Sequence, residues 1–150
     1  MCIRDSYRSR LISKIMFGAY NKRIKNVRTV NDWLTRDEAV VDEYNAGKLT
    51  TFLFTVNGYR GLMNMILYVR KPRNIERIPK NLPMLMISGL DDPVGEYGKG
   101  VYRAYNSYHG HIDDIDLRLY EDCRHELCNE LNKEEIYEEI YGWIMNHMSK

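Results

Sequence analysis

A strand, a helix, a second strand and a closing helix follow one another through the second half of this 150-residue chain, and that order predicts an α/β fold. Three observations carry the reading. Met84-Leu85-Met86-Ile87 is a continuous apolar run entered through Pro83 and left through Ser88-Gly89, the pattern of a strand buried on both faces. Ile115, Leu117 and Leu119 alternate with Asp116 and Arg118, the pattern of a strand covered on one face and near a sheet edge. Between and beyond them apolar residues recur at helical spacing: Val101, Tyr102, Tyr105 and Tyr108, then Ile136, Tyr137, Ile140, Tyr141, Ile144 and Met148. A strand joined through a helix to a parallel neighbour implies a right-handed crossover and a sheet clothed by helices.

The elements can be justified in chain order. Leu11, Ile12, Ile15 and Met16 predict a first helix. Thr35 and Glu38 have the spacing of a capping box, which predicts a helix through Val40, Val41 and Tyr44 that Gly47 ends. Phe52-Leu53-Phe54 is strand-like by propensity and too short to decide. Tyr59, Leu62, Met63, Ile66 and Leu67 predict a further helix, closed by Arg70-Lys71-Pro72. Residues 7–78 therefore read as mostly helical and 79–150 as α/β, with the Pro72 to Pro83 stretch as the joint. In the second part, the helix after the first strand runs from Gly98 to about His109 and stops at Gly110, and Asn132 with Glu135 forms a capping pattern for the last one. Two strands alone leave both sheet edges open, so the pattern predicts a sheet that continues in strands this chain does not hold.

Composition narrows the class. With 44% apolar and 29% charged residues, disorder and low-complexity designs are excluded. No apolar run approaches the roughly 18 residues of a membrane span, and no leader-like segment opens the chain. Cys2, Cys123 and Cys128 are an odd set at no framework spacing, which points to reduced thiols and a soluble, cytoplasmic protein. The net charge of +1 hides an asymmetry: Tyr7 to Asn31 holds seven basic and no acidic residues, whereas Glu121 to Lys150 holds eight acidic against three basic. The basic stretch could meet anionic lipid, nucleic acid or the acidic part of the same molecule.

Chemistry in open parallel sheets gathers where loops leave the carboxyl ends of the strands. Two such loops occur here, Gly89-Leu90-Asp91-Asp92-Pro93-Val94-Gly95 and Glu121-Asp122-Cys123-Arg124-His125-Glu126. Parallel neighbours lie about 4.8 Å apart, so a carboxylate on one loop can orient an imidazole on the next.

Pro83-Met-Leu-Met-Ile-Ser-Gly89, Asp92-Pro-Val-Gly95, Leu119-Tyr120, Arg124-His125-Glu126 and Asn129-Glu130 together resemble the C-terminal part of an α/β-hydrolase. The likeness is to the lysophospholipase and monoacylglycerol lipase type, also known as serine aminopeptidase-like hydrolases. Phe17-Gly18-Ala19-Tyr20-Asn21 and Asp32-Trp33-Leu34-Thr35-Arg36-Asp37 are similar to the cap of bacterial members, so the resemblance spans nearly the whole chain after residue 6. It implies that Asp92 is the triad acid, that His125 is the base, and that residues 7–78 form a helical lid over the last two strands and helices of the core. It also implies a small-molecule acyl ester substrate, with lipid esters among the candidates, and no cofactor. The family's G-x-S-x-G elbow is absent: no serine of this chain sits between glycines at that spacing. Met1-Cys2-Ile3-Arg4-Asp5-Ser6 reads as the translation of a transposase sequencing adapter, which predicts a gene fragment with residues 1–6 as an artefact and no activity of the chain alone.

Other chemistries fit less well. His109-Gly-His111-Ile-Asp113-Asp114 resembles the H-x-H-x-D-H metal run of metallo-β-lactamase-like hydrolases but has Asp114 in place of its last histidine. Cys123, His125 and Cys128 lack a fourth zinc ligand, so no metal is expected and the two cysteines read as small buried packing residues. Met16, Met63 and Met65 with Phe52, Phe54 and Tyr59 suggest an adaptable surface for an acyl chain. The contrasting reading is a non-enzymatic module whose Arg8 to Arg28 stretch binds anionic lipid or nucleic acid. Nucleic acid is disfavoured, since no binding module and no interleaved aromatics accompany the cations. Peripheral contact with an anionic membrane stays compatible with a lid.

Overall fold

The computed structural model describes residues 6–148. Residues 1–5, most of the stretch expected to be adapter-derived and including Cys2, lie outside the described residues.

Side-chain caps decide where the helices of the first half begin. Ser9 starts α1 (Arg10–Phe17) by accepting the amide of Ile12. Helix α2 (Glu38–Ala46) is capped by Asp37, whose carboxylate accepts from Ala39 and Val40, and not by Thr35 as the capping-box spacing suggests. Thr35 is only 1% exposed, so its hydroxyl needs a buried partner, and it donates to the carbonyl of Asn129 at 2.8 Å. Thr55 caps α3 (Val56–Val69) through the amide of Gly58. Pro72 occupies the first turn of the short α4 (Pro72–Ile75), where a missing N–H costs nothing. Among the described residues Phe52–Phe54 forms no strand, and just beyond it Thr55 makes an isolated antiparallel bridge with Arg8.

The second half has the expected order. Strand β1 (Met84–Gly89) is followed by α5 (Lys99–His109), β2 (Ile115–Tyr120) and α6 (Lys133–Met148). The strands are parallel and paired from Met84 with Ile115 to Gly89 with Tyr120, forming a two-stranded sheet among the described residues. Met84 to Ile87, expected to be buried on both faces, are only half-buried, because one edge of β1 has no neighbour among the described residues. Asn132 directly precedes α6, its carbonyl accepts the amide of Ile136, and its side chain meets that of Glu135 at 3.5 Å. Its side-chain oxygen is drawn to the guanidinium of Arg36 at 2.7 Å.

The core of this half is Cys123, Leu127 and Ile136, with Ile87, Tyr120 and Ile140 packed against it. Tyr120 ties β2 to α6 by donating to Glu139 at 2.9 Å, and burial together with that carboxylate pushes its phenol up to about 12. No helix among the described residues is long and apolar enough to cross a membrane.

Candidate active site

The ends of the two strands are drawn together by backbone. Leu90 donates to the carbonyl of Tyr120 at 2.8 Å, and Asp91 donates to that of Cys123 at 2.9 Å. Gly89 makes this approach possible: a Cβ there would sit 2.0 Å from the carbonyl oxygen of Cys123 and 2.3 Å from that of Arg124. The turn after β1 then places Asp92, which is 6% exposed, with one carboxylate oxygen on the amide of Val94 at 2.8 Å. Its other oxygen lies 3.1 Å from Nδ1 of His125. Glu96, Tyr97 and Gly98, which follow, all have left-handed backbone. Tyr97 is held there by its amide, which donates to the carbonyl of Asp92, and by Arg23 of the first half, 3.6 Å above its ring.

His125 is the accessible partner of the pair, with 37% of its side chain exposed. Its pKa is raised above the ordinary 6.5, chiefly by the hydrogen bond to Asp92, with burial opposing and the charges of Asp92 and Glu126 adding. A carboxylate on Nδ1 holds the neutral ring in the tautomer that leaves Nε2 as an acceptor, the arrangement needed to take a proton from a hydroxyl. Trp33 packs on the imidazole with ring centroids 5.1 Å apart, Tyr20 meets Trp33 at 4.9 Å, and Phe17 meets Tyr20 at 5.5 Å. Burial and the nearby charge of Asp92 raise the pKa of Tyr20.

Beyond Trp33 lies a cavity of about 910 Å³, walled by Phe17, Trp33, Phe52, Phe54, Tyr59 and Leu62 among others. The aromatic residues expected to shape an acyl surface line it; Met16, Met63 and Met65 do not, and Met65 is 58% exposed. Part of the basic stretch is matched internally, with Arg28 paired to Asp42 and Glu38. Hydrogen bonds from Thr29 and Arg28 outweigh burial to hold the Asp32 carboxyl below its ordinary range.

The rival groupings come apart. One ring nitrogen of His111 is 2.7 Å from the carbonyl of Ile78, and His109 packs on Tyr105. Cys123 is buried against Arg36 and Asn132, but Cys128 is exposed, contrary to its expected packing role, because the short 3-10 turn Leu127–Asn129 turns Leu127 inward in its place. Among the described residues, Asp114, Asp116 and His147 bring carboxylate and imidazole atoms within 4.8 Å of one another. There Trp143 donates to Asp116 and His147 pairs with Asp114, joining the end of α6 to the start of β2.

Sequence reasoning missed the residues that hold the histidine loop. Glu130 has no exposed surface and accepts from Arg124 and Arg36, while Arg124 reaches the carbonyls of Asp32 and Thr35. Arg36 lies 94 positions from Glu130, and Asp32 lies 92 from Arg124, so no local spacing announces these contacts.

Parallel strands joined through a helix, with an acid at the end of one and a histidine at the end of the next, are the C-terminal arrangement of an α/β-hydrolase. Comparison places the chain more closely: residues 3–132 match the Hydrolase_4 family, described as serine aminopeptidase, S33, and the chain belongs to that family. No curated protein matches it. Among solved structures it is similar to a highly thermostable carboxyl esterase from Bacillus coagulans in complex with glycerol, at 23% identity and a TM-score of 0.82, covering 97% of this chain and 47% of that one. It is also similar to a lipase in its open form, at 19% identity and a TM-score of 0.85, covering 99% of this chain and 49% of that one. The chain thus spans about half the length of the structures it matches.

Proposed function

We propose that this chain is the lid and the last two core strands of a serine hydrolase that cleaves carboxylic esters of the monoacylglycerol or lysophospholipid class, with Asp92 and His125 as two members of its triad. The approach of Asp92 to within 3.1 Å of Nδ1 of His125, at the ends of neighbouring parallel strands, is the observation that carries this reading. An esterase holding glycerol and a lipase among the similar structures favour ester over peptide substrates. The aromatic cavity beside Trp33 offers room for an acyl chain.

The nucleophile is a serine outside this sequence, on further strands that complete the sheet and cover the open edge of β1. His125 Nε2 takes the proton of that serine as its oxygen attacks the ester carbonyl, then returns it to the departing alcohol. Water repeats the sequence on the acyl-enzyme: His125 takes its proton, the hydroxide releases the acid, and the proton returns to serine. Asp92 stabilises the imidazolium formed in each half.

The test compares two polypeptides on p-nitrophenyl butyrate: the 150-residue chain, and a longer one extended through the genomic sequence upstream of Tyr7. Hydrolysis by the longer chain alone, abolished by His125→Ala and strongly reduced by Asp92→Asn, is the expected result. Hydrolysis by the 150-residue chain, or by a longer chain indifferent to His125→Ala, overturns the reading.

A further inference from the structure

The loop that carries His125 is gripped on both sides of the histidine by one short segment of the first half, residues 32–36. Before the histidine, Arg124 donates from its guanidinium to the carbonyls of Asp32 and Thr35, at 2.7 and 2.9 Å. After it, the amide of Glu126 donates to the carbonyl of Leu34 at 2.7 Å, and the hydroxyl of Thr35 donates to the carbonyl of Asn129 at 2.8 Å. At the centre is Glu130. One of its oxygens accepts the amide of Arg124 at 2.7 Å, and the other accepts Nε of Arg36 at 2.8 Å. The amide of Arg36 lies 3.3 Å from both, that of Leu131 is 3.4 Å from the second, and the guanidinium of Arg36 goes on to Asn132 at 2.7 Å.

A carboxylate with no exposed surface is tolerated only when donors meet its charge, and here they come from two regions far apart in sequence. Apolar residues of the same shape would fill the space with as much stability, so the distinctive contribution of such a pair is where it puts the backbone. The backbone it fixes is that of Arg124, immediately before His125. The segment it pins carries Trp33, whose ring packs on the imidazole. His125 itself takes part in none of these bonds, which leaves its ring free to face Asp92.

We propose that Glu130 is a positioning residue for the hydrolytic base: through Arg124 and Arg36 it locks the cap segment 32–36 onto the histidine loop, keeping His125 within reach of Asp92 and Trp33 against its ring. The proposal rests on the reading of His125 as that base. It makes cap and base one unit, so a displacement of residues 32–36 displaces the imidazole.

The test follows the ring protons of His125 by NMR against pH in the 150-residue chain, in the wild type, Glu130→Gln, Arg36→Lys and Thr55→Ala. The last removes the cap of α3 and serves as a destabilised control away from the loop. All are measured where circular dichroism shows them folded. In Glu130→Gln the titration midpoint falls toward the ordinary 6.5 and the ring-current shift from Trp33 collapses; in Arg36→Lys both move part of the way; in Thr55→Ala neither moves. A wild-type midpoint and ring-current shift in folded Glu130→Gln overturns the proposal. If that variant does not fold, the same result in Arg36→Lys overturns it. Failure of the underlying reading looks different: His125 then titrates at 6.5 in the wild type and is indifferent to Asp92→Asn. In that case the Trp33 shift alone decides the clamp, supporting it if abolished in Glu130→Gln and overturning it if kept.

Discussion

Helix α3 and the histidine loop use their side chains in opposite ways. Around the loop, polar groups are buried beside the apolar Leu34, Cys123 and Leu127: Asp32, Thr35, Asp92 and Glu130 are each less than a tenth exposed, and each has a hydrogen-bond partner. Along α3 large apolar groups are exposed, with Met65, Leu67, Tyr68 and Val69 in solvent and Tyr59 the one buried residue of the helix. Directional bonds specify one geometry, and they are concentrated where an imidazole has to meet a carboxylate. Apolar burial is non-directional, and α3 has little of it among the described residues.

Removing the centre of the polar region should have the largest effect. Glu130→Ala strands Arg36 and the amide of Arg124, and breaking a buried pair of this kind costs about 3–5 kcal/mol, read as a lower midpoint in urea. A destabilisation no larger than that of a surface substitution would erase the contrast between the regions. Gly89→Ala comes next. Its Cβ meets backbone that cannot swing aside, and overpacking costs about 1–3 kcal/mol; the strand ends pushed apart in this variant should also carry Asp92 out of hydrogen-bond reach of His125. An unchanged urea midpoint in Gly89→Ala would show that the strand ends can yield.

The pH dependence separates the regions further. The pKa of His125 is higher in the folded chain than the 6.5 of an unfolded one, so its pairing with Asp92 stabilises the fold fully below 6.5. That contribution fades as pH rises through the folded value. The difference in urea midpoint between wild type and Asp92→Asn should therefore narrow from pH 5.5 to pH 9, and a constant gap would contradict it. The smallest effect belongs to α3: Leu67→Gln, at a side chain 62% exposed, should change stability by no more than about 0.5 kcal/mol.

What the sequence made legible follows from period and position. The order β1, α5, β2, α6 was readable because hydrophobic spacing switches between two and three to four residues; position placed Asp92 and His125 on strand-end loops, and only the family resemblance implied their roles. Local spacing misled where a distant partner competes. Thr35 has the spacing of a helix cap, but the carbonyl of Asn129 claims its hydroxyl and Asp37 caps the helix instead. Cys128 was misread because its small apolar side chain says nothing about which way a 3-10 turn faces. Glu130 was invisible as a buried group for the opposite reason: a charged residue reads as exposed until Arg36 and Arg124 are seen to converge on it.

The catalytic role proposed for this pair depends on which side of the imidazole Asp92 holds, and the nitrogen-15 shifts of the neutral His125 ring in the 150-residue chain report it directly. Above its titration midpoint, His125 should carry its proton on Nδ1, bonded to Asp92, with Nε2 unprotonated and available as the base; Asp92→Asn should abolish that preference. A wild-type ring protonated on Nε2, with Asp92→Asn making no difference, would contradict the assignment of the pair.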